Sequence, residues 1–152
     1  MTVGFILLTV ILAFSHALCP NGWRHFQDSC FLTKQETLNW NDAQHACQGI
    51  NARLAEVQTQ GKVEFLRNML SKENGDWWIG AKDDVTEGQW RWASGELFDY
   101  TDWAPKEPNN DHEQDCLQMY KTDQYHWDDD HCDKAKHFIC EKGFNSTLPV
   151  IG

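Results

Sequence analysis

A chain of 152 residues can bury one hydrophobic core, and its 23 acidic against 13 basic side chains give a formal charge of −10. Nothing basic is clustered to neutralise phosphates, so the balance argues against nucleic acid and against anionic lipid surfaces as partners.

The first segment, MTVGFILLTVILAFSHALC, has an apolar run from Val3 to Phe14 and no Asp, Glu, Lys or Arg. About a dozen apolar residues is short for a membrane span and suits the core of a secretory signal. Ser15 and Ala17 stand where a cleavage site needs small residues, so residues 1–17 are expected to be a signal peptide, the protein secreted, and no membrane span present. In that compartment Cys19, Cys30, Cys47, Cys116, Cys132 and Cys140 are expected to form three disulfides, with the pairing left open by spacing alone. No two of them show the short spacing of a zinc knuckle.

The stretch NWNDAQHACQ, residues 39–48, sets Trp40, Ala43, Ala46 and Cys47 on one face at helical spacing. Asn39 or Asn41 can cap that helix and Gly49 is expected to stop it. A second helix is expected over 61–72, with Val63, Leu66, Met69 and Leu70 as its apolar stripe. Short strands are expected at 77–80, 89–92, 117–120 and 137–141. Between them, 94–115 reads as a long loop, held in order by Trp103 and by the cysteine that closes it. Helices followed by short strands point to an α+β domain spanning 18–142. The tail, 143–152, shows no periodicity and carries an N-x-Ser/Thr glycosylation acceptor at Asn145.

Two segments, EPNNDHEQDC and WDDDHC, concentrate acid. Calcium takes about six to eight oxygens from carboxylates, amides and water. Glu107, Asn109, Asn110, Glu113, Gln114 and Asp115 offer that mixture on one segment, and Asp128, Asp129 and Asp130 on the other. Zinc would draw on His112, His126 and His131, whose spacing fits no helical or knuckle pattern. DDDHCD lacks the turn glycine and closing Glu of a helix–loop–helix calcium site. The competing reading is a solvated acidic surface. Pro108 opposes it, because a cis Glu107–Pro108 bond would aim Glu107 and Asn109 the same way.

Taken with CPNGWRHFQDSCF, Trp40-x-x-Ala43-x-x-x-Cys47, Trp78-Ile79-Gly80, Gly88-Gln89-Trp90, Trp92-x-Ser94-Gly95, Glu107-Pro108-Asn109, Trp127-Asp128-Asp129 and Phe138-Ile139-Cys140, the chain closely resembles a C-type lectin-like domain of the long form. The resemblance covers about 19–142. It implies two helices with short antiparallel strands, a long calcium-binding loop and three disulfides: Cys19–Cys30, Cys47–Cys140 and Cys116–Cys132. It implies a principal calcium ion held by Glu107, Asn109, Gln114, Asp128 and Asp129, with vicinal sugar hydroxyls bound to the ion and to those same side chains. Glu-Pro-Asn goes with the mannose, fucose and N-acetylglucosamine class. An auxiliary calcium would fall to Asp83, Glu87, Asn110 and Asp115.

Two positions depart from the family pattern, Gln114 where Glu is usual and Asp128 where Asn is usual. The exchange leaves three acids in the set, and Gln114 could donate where Asp128 accepts. A coupled pair is therefore expected, with Glu113 as a replacement ligand if the register shifts. The function implied is a secreted, calcium-dependent lectin for mannose-type glycans on glycoproteins or microbial surfaces, in innate defence. A shallow site binds one sugar weakly, which favours several copies acting together, as in a homo-oligomer. The rival is a non-sugar module on the same fold, binding matrix, mineral or ice. No nucleophile or cofactor motif marks an enzyme, although His126 and His131 lie near aspartates.

Overall fold

The computed structural model describes residues 19–144; the expected signal segment and the Asn145 acceptor lie outside the described residues. Asn39 is extended and its side chain accepts the Asp42 N–H at 2.9 Å, which starts α1, Trp40–Gln48. Trp40, Ala43 and Cys47 form its buried face, and the Trp40 indole donates to the Ile79 carbonyl at 2.8 Å. Gly49 stays right-handed at φ −61°; the left-handed turn falls on Asn51, at φ 54°. The second helix, α2, covers Gln60–Leu70 and starts from Thr59, whose hydroxyl accepts the Lys62 N–H. The expected apolar stripe is the buried one, but the cap lies two residues before the expected start.

Ahead of α1 the chain forms a hairpin, β1 (Arg24–Phe26) and β2 (Ser29–Leu38), closed by the Cys19–Cys30 disulfide. After it come β3 (Arg53–Leu54), β4 (Trp77–Lys82), β5 (Arg91–Trp92), β6 (Cys116–Tyr120), β7 (His126–Asp130) and β8 (Lys136–Gly143). The sheet runs β1-β2-β8-β4-β6-β7, with β3 on β8 and β5 on β4. The strands are not all antiparallel as expected: β4 and β8 run parallel, because the chain between them returns to the same end of the sheet.

Central strand β4, WWIGAK, is buried on both faces. Trp77, Ile79 and Ala81 join α2 residues Val63, Leu66 and Leu70 in one cluster; Trp78 joins Trp40, Ala43 and Cys47 of α1 in the other. The two helices therefore cover opposite faces of the sheet. A Cβ on Gly80 would meet the Leu54 carbonyl oxygen at 2.6 Å. Gly80→Ala is expected to cost about 2–3 kcal/mol by forcing β3 away from β4, measured by urea unfolding; unchanged stability would show that this approach is slack.

The Cys47–Cys140 disulfide ties α1 to β8, and Cys116–Cys132 ties β6 to the turn after β7. One buried ionic network holds the base of the long loop. Glu141, 1% exposed, accepts from Lys62 Nζ at 2.8 Å, Ser29 Oγ at 2.7 Å and the Glu56 N–H at 2.8 Å. Glu56 in turn accepts the Ser94 N–H at 2.8 Å. Burial raises the Glu56 pKa, against the Arg53 charge. Among the described residues, no helix is long and apolar enough to cross a membrane.

Candidate functional site

The long loop between β5 and β6 is laid along the outer edge of β7. Trp127 N–H donates to the Asp102 carbonyl at 3.0 Å and Ala104 N–H to the Trp127 carbonyl at 2.8 Å. Arg67 of α2 pairs with the Asp102 carboxylate, and His126 Nδ1 lies 3.3 Å from the same group. Trp103 stands edge-on to Trp90 and Trp127, with ring centroids at 5.0 and 5.8 Å. Beyond these anchors the Glu107–Pro108 bond is cis. The loop tip then docks on one side chain: Asp129 accepts the Asn109 N–H at 3.0 Å and the Asn110 N–H at 2.7 Å.

WDDD is thus a strand, and its three aspartates have three different surroundings. Asp129 is fully buried under the loop tip. Burial alone would raise the Asp130 pKa, but hydrogen bonds from Lys134 at 2.6 Å and Lys136 at 2.7 Å outweigh it and hold the group well below the usual carboxylate range. Asp128 has no such cation among the described residues; burial pushes its pKa up to about 7, with Glu107, Asp129 and Asp130 adding repulsion against one hydrogen bond from Gln118. The Glu107 pKa is also raised, first by burial and then by Asp129.

One oxygen each from Glu107, Asp128 and Asp129 lies within 4.8 Å of the others, and among the described residues only these three acids converge so closely. Asn109 Nδ2 donates to Glu107 Oε1 at 3.0 Å, which brings the fourth expected ligand to the same place. Gln114 sits beside them on a different partner: its Nε2 donates to Asp130 at 3.3 Å and its Oε1 accepts the Asp111 N–H at 3.1 Å. The amide paired with Asp128 belongs to Gln118, whose Nε2 donates to Asp128 Oδ2 at 2.6 Å. Sequence reasoning missed Gln118. The signal is the β6–β7 register, which places Gln118 directly opposite Asp128.

A hard cation fits this donor set. Three carboxylates converge, with Asn109 alongside and its Oδ1 accepting the Asp111 N–H at 2.8 Å; the nearby Lys134 and Lys136 are occupied by Asp130, and among the described residues the buried Glu107 Oε2 has no hydrogen-bond partner. The auxiliary set is looser. Asp83 is 4% exposed; its Oδ2 accepts the Gly88 N–H at 2.9 Å and its buried Oδ1 has no partner among the described residues. Burial, with repulsion from Glu87, Asp115 and Asp129, lifts its pKa to about 6. Asn110 uses its side-chain oxygen on the Gln114 N–H, and Glu87 is exposed. Glu113 is exposed with φ 64°. His112 is exposed beside Asp111, and His131 Nε2 lies 2.9 Å from the His112 carbonyl, so the three histidines do not join the carboxylate cluster.

Residues 36–142 match the family model described as the lectin C-type domain. The chain is 37% identical to Lectin BRA-3 of Megabalanus rosa, over 96% of this chain and 90% of that protein. Its fold is similar to the carbohydrate-recognition domain of cow CD23, solved in the presence of a GlcNAc2Man3 oligosaccharide, with TM-score 0.76 and 27% identity over 84% of this chain and 98% of that one. It is equally similar to a calcium-independent type II antifreeze protein, with TM-score 0.76 and 28% identity over 83% of this chain and 95% of that one.

Proposed function

The chain belongs to the C-type lectin domain family, and we propose from this that it is a secreted, calcium-dependent lectin of the mannose, fucose and N-acetylglucosamine class. The observation that supports this best is the convergence of Glu107, Asp128 and Asp129 beside Asn109, with raised acid pKa values that a divalent cation would relieve. Calcium held there supplies coordination positions for two vicinal sugar hydroxyls. Glu107 and Asn109 orient one hydroxyl, accepting through the carboxylate and donating through the amide. Asp128, held by Gln118, faces the second while Gln114 stays on Asp130, and Asp129 holds both the cation and the loop tip. Asp83, Glu87, Asn110 and Asp115 form the auxiliary site. Recognition of glycans on glycoproteins or microbial surfaces in innate defence, with several copies acting together, is the role such a site serves.

A glycan array run with calcium and again with chelator tests this reading. Calcium-dependent binding to mannose-terminated glycans is expected. Retention that ignores chelator and is not competed by soluble mannose would favour the second reading, a non-sugar surface module, which the likeness to a calcium-independent antifreeze protein motivates.

Gln118 sets the behaviour of Asp128 at this site. Gln118→Glu replaces the one side-chain donor that Asp128 has among the described residues with a facing carboxylate and is expected to weaken calcium binding by about tenfold or more. Calorimetric titration with calcium reads this; an unchanged affinity would remove Gln118 from the site. A double-mutant cycle is expected to find coupling between Gln118 and Asp128 that exceeds any between Gln114 and Asp128.

A further inference from the structure

The two arms of the cation cluster come from different segments, Glu107 and Asn109 from the long loop and Asp128 and Asp129 from β7. Their spacing depends on what clamps the loop to the strand. Arg67, in the last turn of α2, reaches both segments and is itself no member of the cluster. Its Nη2 donates to the Asp102 carboxylate of the loop and, at 2.7 Å, to His126 Nδ1 of β7. Its Nε donates to the Tyr125 carbonyl at 3.4 Å. Among the described residues, no other Lys or Arg pairs with an acid of the loop between β5 and β6.

These three acceptors lie where the chain needs holding. Gln124 and Tyr125 lead into β7 in left-handed conformations, φ 56° and 62°, which residues other than glycine keep only when their surroundings hold them. The Tyr125 hydroxyl donates to the Glu73 carbonyl at 3.0 Å, and Arg67 holds the main chain beside it. From Asp102 the contact passes to the cluster in three steps. Trp127 N–H donates to the Asp102 carbonyl, Ala104 N–H to the Trp127 carbonyl, and Glu107 N–H to the Ala104 carbonyl at 3.0 Å. A planar guanidinium serves acceptors in several fixed directions at once; a lysine ammonium is a point charge on a flexible stem.

We propose that Arg67 is a positioning residue for the calcium site, clamping the loop arm to the strand arm so that Glu107 stays close to Asp128 and Asp129. The proposal rests on the calcium reading and adds to it a residue from a different element, outside the ligand set. Charge alone predicts the opposite effect, because a positive side chain repels a calcium ion and its removal should tighten binding. Weaker binding without Arg67 therefore separates clamping from electrostatics.

Calorimetric calcium titration of the folded parent, Arg67→Gln and Arg67→Lys tests the proposal, together with amide hydrogen exchange in chelator. Arg67→Gln is expected to bind calcium about tenfold more weakly, as when only about a tenth of the molecules hold the competent loop. Arg67→Lys keeps the charge and is expected to recover part of that loss. Without calcium, the Ala104 and Trp127 N–H groups are expected to exchange faster in Arg67→Gln, while the Gly80 N–H of β4 keeps the parent rate. Faster exchange of all three alike would mark a general loss of stability and overturn the clamp. In an Asp102→Ala background the effect of Arg67→Gln on calcium is expected to shrink to about threefold or less, since the clamp is already open. An undiminished effect there would overturn the clamp, as would calcium binding by Arg67→Gln that is unchanged or tighter; both leave the lectin reading standing. A parent protein that binds no calcium would overturn both together.

Discussion

Asp129→Ala is expected to abolish measurable calcium binding and, independently, to destabilise the metal-free protein by about 3 kcal/mol. Two roles meet on one fully buried carboxylate. As one of the three converging acids, Asp129 supplies part of the charge a divalent cation needs. As the acceptor for the Asn109 and Asn110 N–H groups, it seats the loop tip whether or not a cation is bound. Hydrogen bonds to an ionised acceptor contribute about 1.5–3 kcal/mol each, and the two here share one group, so their loss is less than additive. Calcium titration reads the first role and denaturant unfolding in chelator reads the second. Asp129→Asn keeps the shape and one acceptor oxygen, and its stability should fall between parent and alanine. An alanine variant as stable as the parent in chelator would show that Asp129 does not seat the loop.

The second large effect is an inversion of pH dependence by calcium. Burial and neighbouring acids raise the folded-state pKa of Asp128 to about 7 and of Asp83 to about 6, against an unfolded value of about 3.9. Between roughly pH 4 and 7 the folded chain keeps protons that the unfolded chain has released, so stability falls as pH rises through this window. Below about pH 4 both states are protonated and the difference vanishes. Asp130 has the opposite sign: its lowered pKa contributes stability above about pH 4 that is lost only on further acidification. In chelator, the Tm is therefore expected to be higher at pH 5 than at pH 7.5, by roughly 3–5 °C after allowing for solvent screening of the half-buried Asp128. Saturating calcium binds the ionised carboxylates and should reverse the order. Thermal melts at both pH values, with calcium and with chelator, decide it. A Tm in chelator that rises from pH 5 to pH 7.5 would contradict the assignment.

What could be read from the sequence divides along physical lines. The buried face of α1 was legible because capping and the 3.6-residue period are local, and Asn39 is the cap that the structure uses. The stripe of α2 was legible for the same reason, while its start was misplaced because Thr59 precedes Gln60 and Gly61, which carry no apolar signal. The cysteine pairs followed from resemblance to a family, and the structure contains all three.

Strand β7 was not legible. Three consecutive aspartates oppose strand propensity, and partners outside the strand offset them: Lys134 and Lys136 for Asp130, the loop tip for Asp129, and Gln118 for Asp128. Strand β2 was hidden in a similar way. Its second half, with Lys34, Gln35 and Glu36, leaves the core and breaks the alternation that marks a strand. For the site, Glu107, Asn109, Asp128 and Asp129 could be named from motifs, and the structure brings these four together. The partner of Asp128 could not be named, because it depends on which residue of β6 faces it, a matter of register rather than composition.

The loop tip is seated through main-chain N–H groups, which every residue except proline possesses. Asp129 therefore reads the path of the chain at 109 and 110, while the side-chain oxygens of Asn109 and Asn110 accept the Asp111 and Gln114 N–H groups and shape the turn itself. The base is held likewise, by the Ser94 N–H on Glu56 and the backbone bridge between Trp103 and Trp127. Side chains at the tip can then be exchanged without removing these two main-chain bonds to Asp129. Such a scaffold can change its ligand by a few substitutions while its foldability is inherited intact, so binding and folding can evolve on separate residues.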